Sequence, residues 1–288
     1  MIDLAAALST RPVVLDGGLG TLLEARGNDV TSTLWSARVL RDDPDEIRAA
    51  HAAFAEAGAE VLITSSYQVG FGGEIPDAEV ETLLRRSVSL ARDAADAVVA
   101  ASVGPFGALR ADGSEYSGKY GLAVEDLRIA HRRRLEVLAE AGADLLAIET
   151  IPSPVELDAL ALEIADLGVP AFVSLSADST GFREPGSRAE ALRRAASVPG
   201  VIAVGVNCCA PETVLPALAE APGIPLVAYP NTGERWDAAT RTWSGGTAPL
   251  AEAAPNWVAA GARLVGGCCR SMPADIAAIA SALRCRER

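Results

Sequence analysis

The stretch "AEAGADLLAIET", Ala139–Thr150, holds the end of one element and the whole of the next. Ala139 to Ala141 close a helical pattern, Gly142 stops it, and a near-continuous apolar run starts at once and ends in Glu149. The same device stands in "AEAGAE" at Ala55–Glu60 and in "VAAGAR" at Val258–Arg263. Gly58, Gly142 and Gly261 share one phase. We read each as a left-handed residue just past a helix end, a conformation glycine adopts without a Cβ penalty. An apolar run without polar alternation fits a strand covered on both faces, as in a parallel sheet.

Eight such runs follow one another along the chain. They are "PVVLDG" from Pro12, "AEVLITS" from Ala59, "AVVAASVG" from Ala97, "ADLLAIET" from Ala143, "VPAFVSLS" from Val169, "VIAVGVN" from Val201, "IPLVAYP" from Ile224 and "ARLVGG" from Ala262. Helical patterns lie between most of them: Pro44–Ala57, Ala78–Ala97, Val124–Ala141, Pro154–Leu167, Pro211–Ala219 and Ala248–Ala260. Pro44, Pro154 and Pro211 sit where a first helical turn tolerates proline. Eight strand–helix units predict an α/β fold, a (β/α)8 TIM barrel formed as a single domain over residues 1–288. A doubly wound open sheet is the alternative. The long polar connections all follow strands, and in a barrel that end carries the active site.

The chain has 288 residues, half of them hydrophobic, with a formal net charge of −13. That acidity argues against nucleic acid and anionic membrane as partners. The opening "MIDLAAALSTRPVVLDGG" has an early Asp3 and no basic segment before its short apolar runs. We therefore expect no signal peptide or membrane span, and a cytoplasmic chain.

Four of the five cysteines fall at strand ends, and Cys285 lies near the tail. Cys208 and Cys209 follow the sixth run in "GVNCC", and Cys268 and Cys269 follow the eighth in "GGCCR". Three thiolates meeting on one barrel face suit Zn2+ with a fourth position left for water or substrate. Cys268 and Cys269 supply two of them; Cys208 or Cys209 supplies the third. The two histidines, His51 and His131, lie inside helical patterns away from the strand ends. A Ser-His or Cys-His hydrolase is thereby disfavoured. Asp16 and Glu149 also end strands, and an acid buried at a barrel mouth must pair or bind something. We expect them to capture a substrate ammonium. "GGLG" after Asp16 lacks the spacing of a dinucleotide fingerprint.

With these motifs assembled, the whole chain resembles the homocysteine S-methyltransferases. The resemblance rests on "LDGGLGT" with Asp16 and Gly17, "ET" with Glu149, "GVNC" with Cys208 and "GGCC" with Cys268 and Cys269. "LWSARVL", "SVGPFGALRADGSEYSGKYG" and "YPNTGERWDAATRTW" look most like the S-methylmethionine-dependent branch, while "SADSTGFREPGS" departs from it. The family implies a zinc-bearing barrel with Cys208, Cys268 and Cys269 as ligands, and Asp16 and Glu149 near the homocysteine amino group. Gly17 and Tyr67 join the substrate-binding candidates. The implied reaction moves a methyl group from a sulfonium, S-methylmethionine or S-adenosylmethionine, to the thiol of L-homocysteine and gives methionine. The alternatives are another zinc–thiolate barrel enzyme, betaine as donor, or a different thiol or selenol acceptor. Trp35, Tyr67, Phe106, Tyr116, Trp236 and Trp243, in the long loops, are candidates to face a sulfonium cation.

Overall fold

The structure, a computed structural model, describes residues 2–30, 34–110, 112–177, 182, 187–221, 223–237 and 242–284. The barrel strands are β1 (Val13–Val14), β2 (Val61–Ile63), β3 (Val98–Val103), β4 (Leu145–Ile151), β5 (Ala171–Ser176), β6 (Val201–Asn207), β7 (Leu226–Tyr229) and β10 (Ala262–Val265). A hairpin of β8 (Arg235–Asp237) and β9 (Thr242–Ser244) interrupts the count after β7. The eight run parallel in the order β1-β10-β7-β6-β5-β4-β3-β2. A single bridge between Leu15 and Val61 joins the two ends, so the sheet closes on itself as a (β/α)8 barrel.

Eleven α-helices lie among the described residues. Six match the expected ones: α4 (Pro44–Glu56), α5 (Asp77–Ala94), α6 (Val124–Glu140), α7 (Pro154–Ile164), α9 (Pro211–Leu218) and α10 (Leu250–Ala259). Proline opens α4, α7 and α9, and the Ser153 hydroxyl accepts from the Glu156 N–H at the start of α7. The three repeated glycines have φ of +102°, +82° and +105°, the left-handed values their shared phase predicts. Helix α5 stops at Ala94 rather than Ala97, because Ala95 is already extended at φ −164°. Five helices lie outside the expected set: α1 (Leu4–Thr10), α2 (Leu19–Ala25), α3 (Trp35–Asp42), α8 (Ser187–Ala196) and α11 (Pro273–Arg284). Helices α1 and α2 are only seven residues long, α8 buries mostly alanine, and α11 follows the last strand.

Two apolar layers result. Val98, Ala100, Leu145, Ala147, Phe172, Ala203, Val227 and Leu264 fill the barrel interior, with Ala7 and Leu8 of α1 packed against them. Their neighbours in the strands, such as Val99, Leu146 and Ile148, face the helices. Both faces being covered explains why the strands read as unbroken apolar runs. Toward the C-terminal end, the inward phase turns polar. Val98 and Ala100 lead to Ser102, Leu145 and Ala147 to Glu149, Phe172 to Ser174, Ala203 to Asn207 and Val227 to Tyr229, all buried. That polar layer is the floor of the site. No helix among the described residues is long and apolar enough to cross a membrane.

Candidate active site and metal centre

A cavity of about 510 Å³ opens at the C-terminal end of the barrel. Its wall includes every site residue expected from sequence: Asp16, Gly17, Tyr67, Glu149, Cys208, Cys268 and Cys269. The Sγ atoms of Cys208, Cys268 and Cys269 all lie within 4.8 Å of one another. Between strands β6 and β10, Cys208 Sγ and Cys269 Sγ are 3.7 Å apart. Tetrahedral zinc with Zn–S bonds of about 2.3 Å would set its sulfurs about 3.8 Å apart, so the spacing fits. Cys209 points the other way and is buried in the core between sheet and helices. The ambiguity between the adjacent thiols is thereby resolved: Cys208 joins the cluster and Cys209 packs. Cys285 lies outside the described residues.

Backbone geometry brings the thiols together. Asn207 continues the inward phase of β6, and Cys208 follows it at φ +48°, a conformation rare for a residue with a side chain. After β10, Gly267 lies so close to Ser271 that a Cβ there would overlap the Ser271 hydroxyl. The chain then turns tightly. Cys268 N–H donates to the Pro230 carbonyl at 2.8 Å, Cys269 N–H to Asn231 Oδ1 at 3.0 Å, and Ser271 Oγ to the Cys268 carbonyl at 2.6 Å. Arg270 sits at φ +68° behind the pair, so both thiols face the same space. Hydrogen bonds from Cys268 and then Cys269 hold the Cys208 thiol well below its usual range, and the bond to Cys208 pushes Cys268 and Cys269 up.

The acids cluster beside them. Asp16 Oδ2 accepts from Ile63 N–H at 2.8 Å, and burial, with Glu149 nearby, pushes its carboxyl well up. Glu149 accepts from Ser102 Oγ and from Tyr229 Oη at 3.1 Å, yet burial still raises it to about 7. Ser174 Oγ reaches Tyr229 Oη at 2.8 Å and Asn207 Oδ1 at 2.6 Å, which extends the network across three strands. Thr150, at φ +60°, follows Glu149 where the β4–β5 register shifts. Asn207 brackets it: Thr150 N–H donates to Asn207 Oδ1 at 2.8 Å, and Asn207 Nδ2 donates to Thr150 Oγ1 at 2.8 Å. Strain of this kind persists where surrounding bonds over-determine it, and here the Asn207 side chain holds Thr150 at both its N–H and its hydroxyl.

The match to known proteins follows this geometry. The sequence profile described as homocysteine S-methyltransferase matches residues 13–283. The chain belongs to the homocysteine S-methyltransferase family. It is a methyltransferase, 44% identical to the homocysteine S-methyltransferase of Escherichia coli (strain K12) over 93% of this chain and 94% of that one. It is 43% identical to homocysteine S-methyltransferase 4 of Zea mays over 94% and 89% of the two chains. The crystal structure of the homocysteine methyltransferase MmuM from Escherichia coli in its metallated form superposes with a TM-score of 0.82 at 39% identity, covering 96% of this chain and 98% of that one.

Several members of this family site escape a reading confined to acids and thiols. Ser102, Asn207 and Tyr229 complete the polar floor and are visible in sequence only as the last inward-phase residues of their strands. Tyr116, in sequence one loop aromatic among several, has its hydroxyl 3.4 Å from Cys208 Sγ. Trp35 and Tyr67 also line the cavity. Phe106 instead packs edge-on against Tyr120, with ring centroids 5.3 Å apart. The side chains of Trp236 and Trp243, and most of "SADSTGFREPGS", lie outside the described residues. Both histidines are buried in helices: His51 in α4, and His131 in α6 with Nε2 2.9 Å from Glu156 Oε1. Arg134 of α6 reaches beneath the site and donates to the carbonyls of Tyr67 at 2.8 Å and Gly104 at 3.0 Å, fixing the loops after β2 and β3.

Proposed function

We propose that residues 1–288 form one homocysteine-binding domain that transfers a methyl group from a sulfonium donor, S-methylmethionine foremost, to L-homocysteine. The observation that carries this reading is the convergence of three thiols from two strand ends in the cavity of a family member. Cys208, Cys268 and Cys269 would hold Zn2+. Their spacing fits the ion, the set leaves one tetrahedral position open, and the existence of a metallated form of MmuM is in keeping with it. Bound there, zinc supplies deprotonation of a fourth, substrate thiol, whose free pKa of about 8.5 leaves it mostly protonated at neutral pH.

The chain's own residues do the rest. Asp16 and Glu149, with the Gly17 backbone beside them, hold the homocysteine ammonium. A cation there offsets the cost of two buried neighbouring carboxyls. Tyr67 borders the sulfonium. In the transfer, a lone pair of the homocysteine thiolate forms the new S–CH3 bond. The methyl–sulfonium bond breaks, and its electron pair stays on the donor sulfur. One anion and one cation become two neutral thioethers, and the thiol proton has left to solvent. No general base is needed, which agrees with histidines held away from the cavity. Positioning in line supplies much of the rate.

The direct test supplies zinc-loaded protein with homocysteine and, separately, S-methylmethionine, S-adenosylmethionine and betaine, and measures methionine. Turnover fastest with S-methylmethionine is the expected result. Methionine from betaine alone would reassign the donor, and none from any donor would overturn the reading.

A further inference from the structure

The cavity wall also holds an acid that the reaction above does not use. Glu115 lies in a 3-10 turn, Ser114–Tyr116, of the loop after β3, and it lines the cavity together with Tyr67 and Tyr116. It is mostly buried. Its Oε2 is sealed from solvent with no hydrogen-bond partner, and among the described residues no arginine or lysine pairs with it. The nearest arginine in the loop, Arg110, is engaged by Asp112 at 3.3 Å. Backbone N–H groups of Glu115 and Gly113 act on the carboxyl, but no cationic side chain among the described residues compensates it, and leaving one carboxylate oxygen buried and unpaired is costly. Tyr116, the next residue, brings its hydroxyl to 3.4 Å from Cys208 Sγ, which puts this turn on the thiol side of the cavity. Two phenol rings and a carboxylate around one space, beside the sulfur that would receive the methyl group, make a site for an organic cation.

We propose that Glu115 is the counter-charge of the methyl donor's sulfonium, and that it selects donors with net positive charge over zwitterions such as betaine. This rests on the sulfonium reading of the active site. The chemistry dictates how it acts. The donor's positive charge disappears during transfer, so a carboxylate beside it stabilises the bound cation more than the transition state. Glu115 therefore belongs to donor binding, and removing it does not lower kcat.

The test compares zinc-loaded wild type with Glu115→Gln and Glu115→Asp. Calorimetric titration with S-methylmethionine reads donor binding, and steady-state methionine formation reads KM and kcat. For Glu115→Gln, the donor Kd and KM should rise about 10- to 100-fold, the scale of a lost charge-assisted contact. Its kcat should be no lower than wild type, with zinc content and homocysteine KM unchanged within about twofold. The preference for S-methylmethionine over betaine should shrink by a smaller factor, because the variant loses attraction for either onium but also loses repulsion of betaine's own carboxylate. Glu115→Asp, which keeps the charge, should recover most of the donor affinity. An unchanged donor Kd in Glu115→Gln overturns the inference, as does a fall in kcat with KM unaltered. Failure of wild type to make methionine from any sulfonium overturns the underlying reading instead, and the titration then still judges whether Glu115 holds the cation.

Discussion

Cys208 and Cys209 are neighbours in sequence with opposite fates: one thiol enters the cluster and the other is sealed in the core. Cys208→Ser should therefore lower bound zinc from about one per chain to below about a tenth and abolish turnover. Cys209→Ala should keep metal and activity while losing about 1–2 kcal/mol of stability to the small cavity. Metal analysis and urea unfolding of the two variants check this. His51 gives a second test at this scale. Its ring is buried with neither nitrogen hydrogen-bonded, and burial lowers its pKa from 6.5 to about 4. An unfolded chain then binds more protons than the folded one between those values. Stability contributed by neutral His51 is full above pH 6.5 and falls away as pH drops toward 4, by about 3 kcal/mol at most. His51→Leu should flatten that acid limb in urea titrations at pH 7 and pH 5, without loss at pH 7, because it removes two unpartnered ring nitrogens.

At the scale of elements, each strand carries two messages in one run of residues. The near-continuous apolar text says that both faces are covered, and the alternate phase says which residues point inward. In β4 the inward phase reads Leu145, Ala147, Glu149, so the acid at the site is the strand's own last inward residue. By that alternation, Ser102, Asn207 and Tyr229 are as legible as Glu149. What the strands do not disclose is the strain at Thr150 and Cys208, since φ there is imposed by partners distant in sequence. Strand β6 also contains a close approach: a Cβ on Gly205 would overlap the carbonyl of Val227 in β7. Gly205→Ala should cost about 3 kcal/mol or more by forcing β6 from β7. Because Asn207 and Cys208 ride on the same strand, metal content should fall in parallel. Unfolding and metal analysis on one preparation would show both.

For the molecule as a whole, the candidate metal ties β6 to β10, strands that are neighbours only through β7. An ion bound only by the folded chain stabilises it by mass action. Chelation should therefore lower Tm by about 4–5 °C, the shift expected when free zinc had stood near a hundred times its Kd. Restoring zinc should recover it, and Cys208→Ser should show no response to either treatment. A calorimetric scan with and without chelator decides this. The same scale explains the acidic charge balance of the cavity. Asp16, Glu149, Glu115 and three thiols gather around one space, and on the proposed reading they would meet an ammonium, a sulfonium and a metal ion, all three arriving from solution.

The sequence by itself determined the barrel, because alternating strand and helix periods, with glycine at one phase after three helices, leave few topologies that cover both faces of every strand. It also determined which end works, because the long polar loops all follow strands. Membership in the family was legible as well, since acids and paired cysteines at strand ends are motifs of local spacing. Tertiary structure alone decided which of two adjacent thiols joins the cluster, and which loop residues face the cavity. It alone also placed Glu115 on the cavity wall with a carboxylate oxygen left unpartnered. Those choices depend on backbone torsions and on contacts between residues far apart in the chain, such as Cys208 with Cys269, 61 positions later. Local periodicity carries no record of such distances; they are set only when eight strands close into one ring.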